Sequence, residues 1–253
     1  MAGIIVFDVD GTVLDSKCGL EDCSVPDKKA LDTIENIAKK GYAVMFASGR
    51  SYYELENMFD RLSFNACFAA SDGSLCCVEE EKIISFPVSR NDIVCIFNML
   101  KGFGGIGIEF CSKYLSYVYG TKKFVSQIRK ERKNQIKIMA GVSDIESDIY
   151  KITVCGINSF IKARLKSVLG ENLRFAYESE EICEIVSKNA NKQVAVEAFK
   201  NKLCGSGCAV VAVGDGDNDI PVLKNADMAF AMENAGEHIK SICHKSIKNN
   251  NVR

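Results

Sequence analysis

The chain opens with the run Gly3-Ile4-Ile5-Val6-Phe7-Asp8-Val9-Asp10-Gly11-Thr12, which decides the fold. Consecutive apolar residues that end at once in acidic and turn-forming residues are typical of a strand buried on both faces. A strand of this kind lies in the middle of a parallel sheet. We therefore expect a central parallel strand that ends at Asp8.

Helix and strand signals then alternate along the chain. A helix that starts near Pro26 and ends before Gly41 is followed by an apolar strand at 42–46, and a helix at 51–62 is followed by a strand at 66–70. Pro favours the first turn of a helix and Gly its end. This alternation predicts a doubly wound, Rossmann-like α/β core with a parallel sheet.

The pattern changes at residue 83. Short strands, basic helices and glycine-rich turns follow as far as residue 187, which is typical of an α+β insert. A helix and two buried strands, at 209–213 and 228–232, then resume the first pattern. We therefore predict a catalytic core formed by residues 1–82 and 188–253, with residues 83–187 inserted as a cap domain that determines substrate specificity.

Composition narrows the class of partner. A formal net charge of -1 and a pI near 6.2 provide no global field that would hold a polyanion, so nucleic acid is not expected as a partner. No apolar run approaches the roughly 18 residues of a membrane helix. We expect a cytoplasmic protein that acts on a small molecule without a membrane partner. The sequence gives no indication of the oligomeric state.

The twelve cysteines are expected to be reduced, because a disulfide framework belongs to short secreted chains. Several lie in apolar runs, where cysteine packs as a small hydrophobic residue; these are Cys67, Cys155, Cys183 and Cys208. A zinc site needs paired ligands at short spacing, but the chain has no CxxC and only two histidines. Zinc is therefore not expected.

Two polar motifs follow the first two strands. In an extended chain, Asp8 and Asp10 point the same way, so one carboxylate can attack phosphorus while the other donates and accepts a proton. The motif Ser48-Gly49-Arg50 leads into a helix, where a hydroxyl and free backbone N–H groups suit phosphate oxygens. Each motif alone is also common in an ordinary turn or helix cap.

Two further motifs occur after the insert. Lys192 opens a helix, and its ammonium can neutralise charge on Asp8 and on a transferring phosphoryl group. Lys188 is a rival for this role, but its spacing to the helix is less favourable. The stretch Gly214-Asp215-Gly216-Asp217-Asn218-Asp219 crowds three carboxylates and an amide, which favours a bound cation. Oxygen ligands at a phosphate-handling site indicate Mg²⁺.

Together, in this order and context, the four motifs resemble those of the haloacid dehalogenase (HAD) superfamily, and the insert resembles the large cap of its Cof-type phosphatases. The resemblance spans nearly the whole chain. It implies that Asp8 is the nucleophile and a metal ligand, and that Asp10 is the general acid and base and offers its backbone carbonyl to the metal. Ser48 and Gly49 would bind the transferring phosphoryl group, which Lys192 would stabilise.

The same resemblance implies Mg²⁺ as the cofactor, with Asp215 as a direct ligand and Asn218 and Asp219 beside it among the ligands or just behind them. The implied activity is hydrolysis of a small phosphorylated metabolite through an aspartyl-phosphate intermediate. Sugar phosphates, nucleotides and phosphorylated cofactors all remain possible substrates. The chain departs from the family pattern at Asp72-Gly73, where Asn-Gly is usual, and at Glu233-Asn234-Ala235, where Gly-Asn-Ala is usual.

Three other functions stay open. A phosphosugar mutase uses the same chemistry and passes the phosphoryl group to a sugar. A phosphate sensor without turnover is disfavoured, because both carboxylates of the first motif are present. Nucleic-acid binding through a basic stretch competes with the simpler interpretation of a solvated helix face; the stretch comprises Lys122, Lys123, Arg129, Lys130, Arg132, Lys133 and Lys137.

Overall fold

The computed structural model describes residues 2–14, 25–132 and 135–248 of the 253-residue chain. The described chain divides into two compact units. The first unit comprises Met1–Arg50, Leu55–Ser85 and Asn191–Arg253, and the second comprises Ser51–Glu54 and Phe86–Ala190.

The elements alternate between strands and helices along the chain. The strands are β1 (Gly3–Phe7), β2 (Tyr42–Ala47), β3 (Cys67–Ala70), β4 (Leu75–Val78), β5 (Glu81–Ser85), β6 (Gly107–Cys111), β7 (Ser116–Tyr119), β8 (Ile136–Ile138), β9 (Lys151–Cys155), β10 (Leu173–Glu178), β11 (Ile182–Ser187), β12 (Val210–Gly214), β13 (Met228–Met232) and β14 (Lys245–Ile247). The α-helices are α1 (Lys28–Lys39), α2 (Tyr52–Met58), α3 (Arg90–Leu100), α4 (Lys122–Glu131), α5 (Ser159–Val168), α6 (Lys192–Cys204), α7 (Ile220–Asn225) and α8 (Glu237–Lys240).

An eight-stranded sheet forms the first unit, in the order β14-β13-β12-β1-β2-β3-β4-β5. The strands from β14 to β3 run parallel, and β4 and β5 complete the sheet as an antiparallel edge. Strand β1 lies between β12 and β2, with Val6 opposite Ala212 on one side and Met45 on the other. The predicted doubly wound α/β core with a central first strand is confirmed.

Apolar side chains explain the central place of β1: Phe7 stacks with Phe46 of β2 on one face, with ring centroids 6.1 Å apart, and Ile4 and Val6 lie on the other. Ile4 and Val6 are buried in a cluster with Met45 and with Val196 and Phe199 of α6. Burial of each such side chain contributes about 1.5–3 kcal/mol. The buried strand ends where the acidic residues begin, so Asp8 emerges at the carboxyl edge of the sheet.

A six-stranded sheet forms the second unit, in the order β10-β11-β9-β6-β7-β8. Its strands pair antiparallel except for β7 and β8. Ile108 and Phe110 of β6 pack in a buried cluster with Ile96 of α3 and Leu165 of α5. Glu109, which alternation places on the opposite face of β6, is also buried. The predicted α+β character of the insert is confirmed.

Several boundaries differ from the sequence-based predictions. The helix predicted at 51–62 is the shorter α2, and the first of the short strands predicted from residue 83 is β5, which pairs with β4 in the sheet of the first unit. The longer segment of the second unit runs from Phe86 to Ala190, whereas the predicted insert spans residues 83–187, and the unit also includes Ser51–Glu54. The β4–β5 hairpin continues the first sheet beyond its parallel part, which the βα alternation alone does not reveal.

The cysteine prediction is wrong at one place. Cys204 and Cys208 form a disulfide across the three residues that follow α6. Cys67, Cys155 and Cys183 are free thiols, and Cys67 and Cys183 are fully buried, as expected of small apolar residues.

The basic stretch is partly neutralised within the second unit. Arg132 forms ion pairs with Glu54 and Glu109, each at 2.6 Å, and Lys137 pairs with Glu146 at 2.9 Å. Lys133 lies outside the described residues. None of the helices in the described part of the chain combines the length and apolar character that crossing a bilayer requires.

Candidate active site

Asp8 and Lys192 form a buried ion pair at the carboxyl edge of the first sheet. The backbone N–H of Asp8 donates to the Val213 carbonyl at 2.9 Å, which continues the pairing of β1 with β12 by one residue. Lys192 Nζ lies 2.6 Å from Asp8 Oδ1 and 2.6 Å from Asp219 Oδ1. Lys192 is only 1% exposed and Asp8 only 7%, so water screens these contacts weakly.

The start of α6 fixes the position of Lys192. Asn191 caps the helix, because its side-chain oxygen accepts the N–H of Val194 at 2.9 Å. The loop after β3 passes close to this point: Gly73 has a φ of +85°, and a side chain there would collide with the Asn191 backbone. Lys188, the rival lysine, is exposed and belongs to the second unit.

The acidic motif folds around Asp219. One oxygen of Asp219 accepts the backbone N–H groups of Asp215 and Gly216, at 3.1 and 3.0 Å, while the other contacts Lys192. Asp219 therefore closes the loop after β12 and ties it to α6. Asp217, in the same motif, points away: it is exposed and lies 2.6 Å from His238 Nε2.

Asp215 is oriented by two side chains from other parts of the chain. Thr12 Oγ1 donates to Asp215 Oδ1 at 3.3 Å, and Asn234 Nδ2 donates to Asp215 Oδ2 at 2.7 Å. Gly11 lies against the same carboxylate with a φ of +89°, where a side chain would collide with it. The loops after β1, β12 and β13 thus converge on one acidic residue.

Three carboxylates meet at this edge. Asp8, Asp215 and Asp219 each offer an oxygen, and these oxygens lie within 4.8 Å of one another. Burial is the largest cause that raises the pKa of Asp8 to about 8, while Lys192 opposes the shift and Asp219 and Asp215 add to it. Burial and the Asp219 charge likewise raise the pKa of Asp215.

This donor set fits a hard divalent cation. The Lys192 ammonium pairs with Asp8 and Asp219, and Asp215 adds a third carboxylate, so the cluster carries excess negative charge when ionised. Magnesium binds carboxylate oxygens together with water and substrate oxygens. A divalent cation would favour the ionised form of Asp8 and Asp215, which burial opposes.

The second motif lies beside the first. Ser48 is buried directly after β2, and its Oγ accepts the backbone N–H of Arg50 at 3.1 Å and lies 3.5 Å from Asp10 Oδ2. The Arg50 guanidinium contacts both oxygens of Asp10, at 2.6–3.0 Å. Gly49 lies between these residues and is partly buried. Arg50 and Ser48 thus hold the Asp10 carboxylate.

Asn218 occupies a different position from the other predicted ligands. Its Nδ2 donates to Asp72 Oδ1 at 3.3 Å, and its side chain is exposed while Asp72 is buried. Asp72 follows β3 in the left-handed region, with a φ of 57°, which Asp tolerates better than most residues. The amide of Asn218 therefore anchors the acidic loop to the loop after β3.

Sequence reasoning did not identify Thr12, Asn234, Asp72 or the side chain of Arg50 as members of the site. Thr12 and Arg50 lie in the first two motifs. Asp72 and Asn234 lie at the two positions where the chain departs from the family pattern. Their roles depend on hydrogen bonds over as many as 203 residues of sequence separation, for which spacing carries no signal. The Asp-Gly-Thr turn and the Glu-Asn-Ala turn are the places where a search for ligand-orienting residues would start.

The chain resembles known proteins along nearly its whole length. The profile of the haloacid dehalogenase-like hydrolases matches residues 5–253. The chain is 21% identical over 258 residues to the Escherichia coli K12 5-amino-6-(5-phospho-D-ribitylamino)uracil phosphatase YbjI, covering 98% of this chain and 91% of that protein. It is 23% identical over 262 residues to the HMP-PP phosphatase of Shigella boydii serotype 4 (strain Sb227), covering 95% and 92%.

Among solved structures, a haloacid dehalogenase-like hydrolase from Bacteroides thetaiotaomicron superposes with a TM-score of 0.83 at 19% identity, covering 98% of this chain and 94% of that one. This likeness shows the shared fold. The profile match covers the β1 motif, the insert and the acidic loop in a single alignment. The resemblance seen in the sequence is thereby confirmed, and the chain belongs to the haloacid dehalogenase-like hydrolases.

Proposed function

We propose that the protein is a magnesium-dependent phosphatase that hydrolyses a small organic phosphate monoester through an aspartyl-phosphate intermediate on Asp8. The observation that carries the proposal is the buried contact of Asp8 with Lys192 beside Asp215 and Asp219. A nucleophilic carboxylate held against an ammonium suits attack on an anionic phosphoryl group. The names of both curated relatives, each a phosphatase, support the reaction class.

The residues divide the reaction between them. Asp8 attacks phosphorus, and Lys192 and the backbone N–H groups near Ser48 and Gly49 offset the charge on the phosphoryl oxygens. Asp10 protonates the departing oxygen and then takes a proton from the water that cleaves the acyl phosphate. The phosphoryl group is thereby transferred to Asp8 and released as inorganic phosphate, and Asp8 is regenerated.

Asp8, Asp215 and Asp219 would hold Mg²⁺, with the Asp10 carbonyl as a further ligand and Asn218 beside them. The ion, when bound, supplies charge stabilisation for the phosphoryl oxygens. Asp219 already uses both oxygens, for Lys192 and for the loop N–H groups. Asp8 and Asp215 are therefore the carboxylates that we expect to bind the ion most directly.

We assign the chemistry to the first unit and substrate selection to the second. Every residue assigned a chemical step belongs to Met1–Arg50 or to Asn191–Arg253. The second unit instead carries buried charged side chains on its sheet, among them Lys151, which lies 2.8 Å from Glu184. Such groups suit recognition of a polar organic moiety, and we expect the substrate to be a small phosphorylated metabolite.

The test is a phosphate-release screen with Mg²⁺ against a panel of phosphorylated metabolites, run on the wild type, on Asp8→Asn and on Asp60→Asn. Asp60 is an exposed aspartate of the first unit and serves as the matched control. We expect turnover with the wild type and Asp60→Asn and none with Asp8→Asn. Substantial turnover by folded Asp8→Asn would contradict the assignment of the nucleophile.

A further inference from the structure

We infer that Arg50 is a positioning residue for Asp10, the residue that exchanges protons with the leaving group and with water. This inference rests on the proposed function and adds a residue to its machinery. The side chain of Asp10 is 54% exposed, although a group that transfers protons must be held in place. A general acid must lie within about 2.6–3.2 Å of the oxygen that it protonates.

Arg50 provides the restraint that burial does not. Its Nε lies 3.0 Å from Oδ1 and 2.9 Å from Oδ2 of Asp10, and its Nη2 lies 2.6 Å from Oδ1. Ser48 Oγ, 3.5 Å from Oδ2, adds a weaker contact from the same motif. The planar guanidinium thus grips both oxygens, a geometry that a lysine ammonium cannot reproduce.

The backbone of Arg50 is itself fixed. Its N–H donates to Ser48 Oγ at 3.1 Å, and its carbonyl accepts the N–H of Ser71 at 2.7 Å. Ser48 is in turn anchored, because its N–H donates to the Ala69 carbonyl at 2.9 Å. The guanidinium therefore extends from a rigid point between two parallel strands, and it can hold Asp10 in one place relative to Asp8.

If Arg50 had only a structural role, its removal would have a different effect on activity from the loss of a residue that positions Asp10. An ion pair with this much exposure adds little to folding stability, so removal of Arg50 should leave the fold intact. If Arg50 only shaped the loop, its loss would impair all substrates alike. If it positions Asp10, its loss should matter most when the leaving group needs a proton. Alkoxide leaving groups need one, whereas p-nitrophenolate leaves readily without it.

The experiment measures kcat/KM for two substrates, the alkyl phosphate that the wild type cleaves fastest and p-nitrophenyl phosphate. This parameter reports transfer of the phosphoryl group to the enzyme and excludes the later hydrolysis step. The variants are Arg50→Gln, Arg50→Lys and the control Arg61→Gln, which changes an exposed arginine outside the site contacts described above. Each is also compared by circular dichroism and thermal melting.

We expect Arg50→Gln to lower kcat/KM for the alkyl ester about tenfold or more, and for p-nitrophenyl phosphate by less than about twofold. Arg50→Lys should show a similar preference for the aryl ester, since it keeps the charge but loses the two-oxygen grip. In an Asp10→Asn background, Arg50→Gln should have little further effect on the alkyl ester, because the residue that it positions no longer carries a proton.

Equal losses on both esters, or full additivity with Asp10→Asn, would overturn the inference. Failure of the proposed function looks different: a folded wild type that cleaves neither ester would overturn that function and this inference together. Arg61→Gln should behave as wild type on both substrates. A selective loss of the alkyl ester in this control would also contradict the assignment to Arg50.

Discussion

Lys192→Met is expected to destabilise the first unit and to impair turnover at the same time. Methionine has a similar length and no charge, so the change removes the ammonium while leaving the cavity filled. The side chain is fully buried and touches two carboxylates. Its loss leaves Asp8 and Asp219 together without the cation that separates them.

The size of the expected loss of stability follows from the two short contacts of Lys192. At an effective dielectric constant of about 20, a contact of 2.6 Å between unit charges corresponds to about 6 kcal/mol of attraction. Desolvation of the three groups offsets most of the sum of the two contacts. Removing one partner of a buried pair costs about 3–5 kcal/mol, and we expect the free energy of unfolding in EDTA to fall by this amount at about pH 9, where Asp8 is ionised.

The assay is urea unfolding followed by circular dichroism, with and without Mg²⁺, together with kcat for p-nitrophenyl phosphate. Lys151→Met is the matched control, since Lys151 is also buried and pairs with Glu184, whose side chain is 23% exposed. We expect a smaller loss of stability in the control, and a fall in kcat of about 10²–10³ only for Lys192→Met.

Magnesium should restore more stability to Lys192→Met than to Lys151→Met, because the excess negative charge lies in the carboxylate cluster beside Lys192. A loss of unfolding free energy below about 1 kcal/mol for Lys192→Met, the range of exposed ion pairs, would refute this reasoning. So would an equal fall in kcat for both variants with the folds intact.

Three further predictions follow from the same cluster and from the second unit. Asp215→Asn should raise the Mg²⁺ concentration for half-maximal activity by about tenfold or more, as a metal titration will show; a shift below about twofold would count against a metal ligand. Because burial raises the pKa of Asp8 from 3.8 to about 8, the folded carboxyl stays protonated where the unfolded one ionises, so the metal-free protein should lose stability as pH rises between these values. Mg²⁺ must displace that proton at lower pH, and it should raise the melting temperature more at about pH 9 than at about pH 6; equal increments would contradict this. Glu184→Gln should change kcat/KM for the best metabolite by about tenfold and for p-nitrophenyl phosphate by less than about twofold, whereas equal losses on both would argue against a selective role for the second unit.

Much of the fold could be predicted from the sequence, because strands buried on both faces form continuous apolar runs. The run from Gly3 to Phe7 and the run from Val210 to Val213 are apolar at every position apart from glycine, and both are central strands. The helix limits were harder to predict: α2 ends at Met58, although the apolar residues Phe59 and Leu62 follow it. The pairing of β4 with β3 and of β5 with β4 was not predicted, because it depends on tertiary contacts and interrupts the βα alternation.

The candidate site also contains residues that could be predicted from the sequence and residues that could not. Residues that directly follow strands, such as Asp8 and Asp215, were predictable because parallel strands present their carboxyl ends at one edge. The side chains that orient them were not, since Thr12 and Asn234 reach Asp215 only after the chain has folded. The grip of Arg50 on Asp10 likewise depends on the adjacency of β1 and β2, not on the spacing of the two residues.

The central claim, that Asp8 carries the phosphoryl group, is tested most directly by trapping the intermediate. The wild type is mixed with its best substrate and Mg²⁺, quenched in acid within the first turnovers, reduced with borohydride and digested. Reduction converts an aspartyl phosphate to homoserine, so mass spectrometry of the peptide containing Asp8 should show homoserine at that position. An enzyme that turns over under these conditions but leaves Asp8 unmodified, or that yields homoserine at another aspartate, would contradict the account.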